Sequence, residues 1–171
     1  MGAAIMSLRP ALEAELRRLI GYSSAQPVTI DLVGPAGIRL SIELTIVDSL
    51  SCAFRQLTVD VPALQNAAFD ALKKWAEALS RRITYLLESL SPLEFDPTGG
   101  QVLIRSTTPD QLPDGTQYFE MVLSSQGTGS FVLRRYRAVK GIPGRDPIDM
   151  QVTHEVLGKL CDDLVDTVTP P

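Results

Sequence analysis

Histidine occurs once in the chain and cysteine twice, as His154, Cys52 and Cys161. Two cysteines cannot build a disulfide framework, so a reducing compartment is the expected setting. A single histidine leaves zinc short of its usual ligands unless carboxylates complete the site. No apolar run approaches the roughly eighteen residues that a membrane span requires. The first ten residues lack the basic head and longer apolar stretch of a secretory signal. A cytoplasmic location is the resulting expectation. Positive charge is also in short supply, with 16 Lys and Arg against 20 Asp and Glu and a net charge of −4. Nucleic acid and anionic membranes, which need a concentrated positive face, are therefore poor partners. No G-x-S-x-G, H-E-x-x-H, G-x-G-x-x-G or C-x-x-C motif is present. "DPTGGQ" (96–101) has two glycines but no following Lys-Ser/Thr, so it reads as a turn and not a phosphate loop. No catalytic residue, metal or cofactor is expected.

What is present suits one domain across residues 1–171, long enough to bury a sizeable core. "SLRPALEAELRRLIGY" predicts a first helix, capped by Ser7 and stopped at Gly21, with Leu8, Leu12, Leu16 and Leu19 on one face. "VTIDLV", "IRLSIELTIV" and "CAFRQLTVDV" then predict three strands. Leu40, Ile42, Leu44 and Ile46 are expected on the buried face, with Arg39, Ser41, Glu43 and Thr45 outside. One wet face implies an antiparallel sheet.

Pro62 opens an apolar stripe of Leu64, Ala68, Leu72, Trp75, Leu79, Ile83, Leu86 and Leu90, which predicts one long helix over 62–90. "QVLIRS", "QYFEMVLSS" and "SFVLRRYRAV" predict three more strands, and a last helix is expected over 148–168. The order is α-βββ-α-βββ-α: an α+β fold of about six mostly antiparallel strands in one or two sheets, with three helices. A βββα duplication, roughly 27–90 and 101–168, is consistent with "FRQLTV" and "LRRYRA" holding similar places before their helices.

Two stretches attract a chemical reading. In "QVTHEVLGKLCDD" (151–163), His154 and Cys161 are two helical turns apart, about 10 Å. That is too far for them to touch, and metal-binding helices use spacings of three or four. They read as packing residues. "RRYR" with "GRDP" gathers Arg134, Arg135, Tyr136, Arg137, Lys140 and Arg145. This is either an acidic-partner or phosphate-binding surface or a solvated strand face, with arginine blunting an exposed edge. Strand alternation divides the charges, putting Arg135 and Arg137 on the face of Leu133 and Arg134 and Tyr136 opposite.

The element order, length and acidity resemble those of class I type III secretion chaperones. These are small, usually homodimeric proteins that bind an unfolded stretch of a secreted effector. The resemblance runs from about Leu8 to Val168 and matches no motif, so it carries over no binding residue. It implies a non-enzymatic adaptor that presents sheet edges and helix faces to a protein or peptide partner. A homodimer is expected from the apolar surface of the long helix. The expected contact residues are Arg105, Arg135, Arg137, Tyr136 and Trp75. The alternative is a pocket between sheet and helices, lined by Trp75, Tyr85, Tyr118 and Phe119, in which Arg105 or Arg135 orients a small acidic metabolite. The preference for arginine over lysine fits a GC-rich bacterial genome.

Overall fold

Leu40, Ile42 and Leu44 alternate on one face of a strand and are fully buried, and the whole molecule is organised about that face. The computed structural model describes residues 8–168. Its elements in order are α1 (Arg9–Leu19), β1 (Ser23–Val33), β2 (Arg39–Val47), β3 (Ser51–Asp60), α2 (Phe69–Arg82), β4 (Leu90–Asp96), β5 (Gln101–Ser106), β6 (Asp110–Leu112), β7 (Gly115–Ser124), β8 (Ser130–Val139), β9 (Asp146–Ile148), β10 (Met150–Thr153) and α3 (His154–Asp166). The strands form one antiparallel sheet with central order β1-β2-β3-β8-β7-β5-β4.

The expectation of about six strands is corrected: the sheet has ten. The extra strands are β4, which begins at Leu90 where the expected long helix was to end, and β6, β9 and β10, each of three or four residues. The 62–90 helix is corrected as well. Pro62–Leu64 is a short 3-10 turn, Asn66 then takes a left-handed φ of 56°, and α2 begins only at Phe69. Asparagine tolerates that conformation because its short polar side chain bonds locally. The helix ends at Arg82, followed by a loop in which Leu87 has φ 67°. Leu64, Ile83, Leu86 and Leu90 are buried as the stripe required, but from a turn, a loop and a strand. Ala68 is exposed.

The last helix starts at His154 and not at 148, because Thr153 caps it by accepting a hydrogen bond from the Val156 N–H at 3.1 Å. Ser7, the expected cap of α1, lies outside the described residues. In β2 a bulge inverts the end of the alternation: Thr45 is buried, Ile46 is exposed and Val47 is buried.

The meanders β1-β2-β3 and β5-β7-β8 lie side by side in the sheet, joined through β3 and β8. The helix after each meander packs on the other one. α2 lies on β4, β5 and β7, while α3 packs on β3 and β10 and touches α1. All three helices cover one face. The opposite face, with Ser41, Gln56, Thr58, Arg134, Tyr136, Tyr118, Glu120 and Arg105, carries no helix among the described residues.

At one end β3 and β8 part. Leu57–Asp60 pair with Ser130–Leu133, whereas Ser51–Phe54 pair with β10 and Arg135–Arg137 pair with β9. Residues 146–153 therefore form a V-shaped wedge with Asp149 at its apex. Thr45 Oγ1 and Arg55 Nε donate to the Asp149 carboxylate at 2.8 and 3.4 Å and hold that apex in place.

Candidate functional site

The helices stop short of the wedge, and a groove opens there on the helix-bearing face of the sheet. Its floor is Phe119, Gln117 and Arg135; its walls are the loops at Leu86–Glu88 and Thr108–Gln111 and the wedge residues Asp149–Gln151. The cavity measures about 560 Å³, within the usual range for ligand sites. An adjoining recess of about 250 Å³ shares Leu86, Leu87, Phe119 and Gln151 and adds Tyr85, Val152 and Val156. Together they make a trough that is polar at one end and apolar at the other.

The polar end is held by a buried relay. The Phe119 N–H donates to Ser106 Oγ at 2.9 Å, and Ser106 donates to Glu88 Oε1 at 2.6 Å. Glu88 Oε2 pairs with Arg135 Nη2 at 2.8 Å, with both side chains about nine-tenths buried. The Arg135 guanidinium lies 4.2 Å over the Phe119 ring, and its buried Nη1 has no hydrogen-bond partner among the described residues. At the apolar end Leu87 is 97% exposed in its left-handed conformation.

The expected contact residues do not form one surface. Arg135 floors the groove; Arg137 shares its face but pairs with Asp114 at 2.7 Å. Arg105 and Tyr136 are on the bare face. Trp75 belongs to neither, being fully buried against Phe131 with its Nε1–H donating to Thr167 Oγ1 at 3.0 Å. Of the proposed pocket aromatics, Phe119 and Tyr85 border the trough, while Tyr118 is on the opposite face. Sequence reading missed Leu87, Glu88, Gln117 and Gln151. The wedge that brings Gln151 to the loop depends on strands too short to show a period.

His154 Nε2 bonds the Ser51 carbonyl at 3.1 Å. Cys52 and Cys161 are free and buried, and burial pushes each thiol up to about 12, leaving little thiolate near neutrality. Among the described residues no three His, Cys, Asp or Glu side chains gather as a metal cluster, and no helix is long and apolar enough to cross a membrane.

Glu120 is the most heavily charged-paired group on the bare face. It is buried and accepts from Arg105 Nη2 at 2.9 Å and from both Nη1 and Nη2 of Arg145. Burial pushes its carboxyl up, but the hydrogen bonds from Arg145 and Arg105 outweigh this and hold it below the usual range. Because the folded value is depressed, its contribution to stability is present above the unfolded value near 4.3 and is lost as pH falls through the folded one. Urea unfolding should therefore show Glu120→Gln clearly less stable than the parent at pH 7, with the gap closing toward pH 3. A gap that does not change with pH would show the carboxylate to be unlinked.

Comparison with family models, with curated proteins and with solved structures returned no match. Nothing is inherited. The functional reading rests on the groove alone.

Proposed function

We propose that the protein is a non-enzymatic binding module that takes an extended peptide segment of a partner protein into this trough. Leu87 carries the reading. A leucine at positive φ costs on the order of 1–2 kcal/mol. Its side chain is 97% exposed, so burial in its own fold returns nothing for that strain. An apolar side chain fixed at the rim of a groove is the kind of anchor that a partner buries. The segment would rest an apolar residue on Leu86, Leu87, Val152 and Val156 and offer polar groups to Gln117, Gln151 and Arg135.

The sheet edges are weaker candidates for strand addition. Edge strand β1 contains Pro27 and a bulge, and edge strand β4 contains Pro92, a bulge, Glu94 and Asp96. Prolines, bulges and charge all blunt an edge. Binding an unfolded stretch is what the chaperone resemblance implies, by a different surface. The ground for a homodimer has narrowed, since Leu72, Trp75, Ala76 and Leu79 of α2 are buried within their own chain. Two buried unpaired thiols support a reducing, cytoplasmic setting.

Peptide display against the purified chain, with amide shifts mapped for an enriched peptide, tests the proposal. Shifts should centre on Leu86, Leu87, Phe119, Gln151 and Val156. Leu87→Asn removes the apolar contact and suits the backbone. It should stabilise the fold by roughly 0.5–1 kcal/mol while weakening the peptide about tenfold. A selection without enrichment, or an unchanged affinity for the variant, would overturn the reading. The unpartnered Nη1 of Arg135 favours a second occupant, a small acid. A thermal-shift screen in which one small acid stabilises the chain, and no peptide binds, would select that instead.

A further inference from the structure

The basic stretch that the groove leaves unused gathers on the bare face of the sheet. β5, β7 and β8 bring Arg105, Glu120 and Arg134 into line, since Arg105 pairs in register with Glu120 and Glu120 with Arg134. The segment after β8 carries Arg145 back over this row, stacked 3.7 Å above the Tyr136 ring and bonded to Tyr118 Oη at 3.2 Å. Arg105 lies 5.1 Å over the Tyr118 ring. Glu120 is the carboxylate that Arg105 and Arg145 share. Arg134 has only neutral partners, donating to Gln56 Oε1 at 2.7 Å and to Tyr136 Oη at 3.4 Å.

Two guanidinium groups, Arg134 and Arg145, stand beside one carboxylate, Glu120, and leave an excess of about one positive charge here, in a chain whose net charge is −4. Arg134 and Arg145 border a hollow of about 280 Å³ whose lining also includes Glu120, Val122, Val132 and Tyr136. Its polar side is two arginines and the carboxylate that Arg145 holds, and its apolar side is the two valines. Arg105 Nε, nearby, is buried without a hydrogen-bond partner.

We propose that this hollow is a binding site for a phosphate monoester whose organic part is apolar. The oxyanion sits between Arg134 and Arg145 and the organic part rests on Val122, Val132 and the Tyr136 ring. A monoester carries close to two negative charges at neutral pH and three acceptor oxygens, enough to engage both Arg134 and Arg145. Guanidinium forks suit phosphate geometry. Glu120 fixes Arg145 in place before any ligand arrives, so little order has to be created on binding. The site is separate from the trough, and neither depends on the other.

Phenyl phosphate is the probe, titrated at low salt with amide shifts followed by NMR, beside inorganic phosphate and benzoate. Saturable shifts at Val122, Val132 and Arg134 are expected. Phenyl phosphate should bind more tightly than inorganic phosphate, which lacks the apolar part, and than benzoate, which carries one charge. Arg134→Gln removes only an exposed cation and leaves Glu120 with both of its arginines. It should weaken phenyl phosphate about tenfold to a hundredfold, and Arg134→Lys should recover part of the loss. A short peptide containing phosphotyrosine, run in parallel, distinguishes a free monoester from one carried on a chain. The proposal is overturned if no probe saturates, if Arg134→Gln binds phenyl phosphate as the parent does, or if benzoate binds as tightly.

Discussion

Arg135→Met is expected to cost about 3–5 kcal/mol, because it strands Glu88 as an uncompensated charge with a side chain only 10% exposed. For a chain of this size that corresponds to a fall in Tm of roughly 6–20 °C. Calorimetry at pH 7 measures it directly. The loss should come from the stranded charge and not from a missing contact, so neutralising the partner should restore most of it. Glu88→Gln is the second change to make, since its amide oxygen can still accept from Ser106 Oγ. The Arg135→Met, Glu88→Gln double variant should be more stable than Arg135→Met alone. Arg135→Lys should not be silent either, since an ammonium cannot reproduce the planar stacking on Phe119. A single-variant loss below about 1 kcal/mol would mean that water screens the pair.

Trp75→Ala should be comparably severe, at about 3–5 kcal/mol, since it removes the largest fully buried side chain. It also takes away the Nε1–H donor to Thr167 Oγ1, which itself donates to the Asp163 carbonyl at 2.6 Å. Trp75→Phe keeps most of the volume and the packing on Phe131, and should lose clearly less. The chain has no other tryptophan, so unfolding is followed by circular dichroism and not by fluorescence. A loss near zero for the alanine variant would contradict the packing of α2 against the sheet.

Trp75 also shows how far the sequence could be read. Its place in the stripe with Leu72 and Leu79 revealed burial, and that same burial disqualifies it as a contact. Periodicity reports which side chains leave water more directly than it reports the backbone that carries them. Ile83, Leu86 and Leu90 fit a helical spacing and are buried, yet a loop and a strand deliver them. At Thr45 a bulge reverses a pattern that had predicted Leu40, Ile42 and Leu44. The groove was the least legible part. Arg135 and Phe119 were visible candidates, but Glu88 and Gln151 come to the same place only through long-range pairing, in which Met150 lies opposite Phe54.

The wedge also makes the centre of the sheet depend on a distant contact. Residues 150–153 find their partners at 51–54, about a hundred positions earlier, so that closure carries a large loop entropy. Until it happens, the first half of β3 and the last half of β8 each expose an unsatisfied ladder in the middle of the sheet. Gly141 and Gly144, both at positive φ, turn the chain from β8 into the wedge. A sheet whose middle needs residues 146–153 to fill it would offer intruding strands two open ladders wherever those residues are absent or displaced.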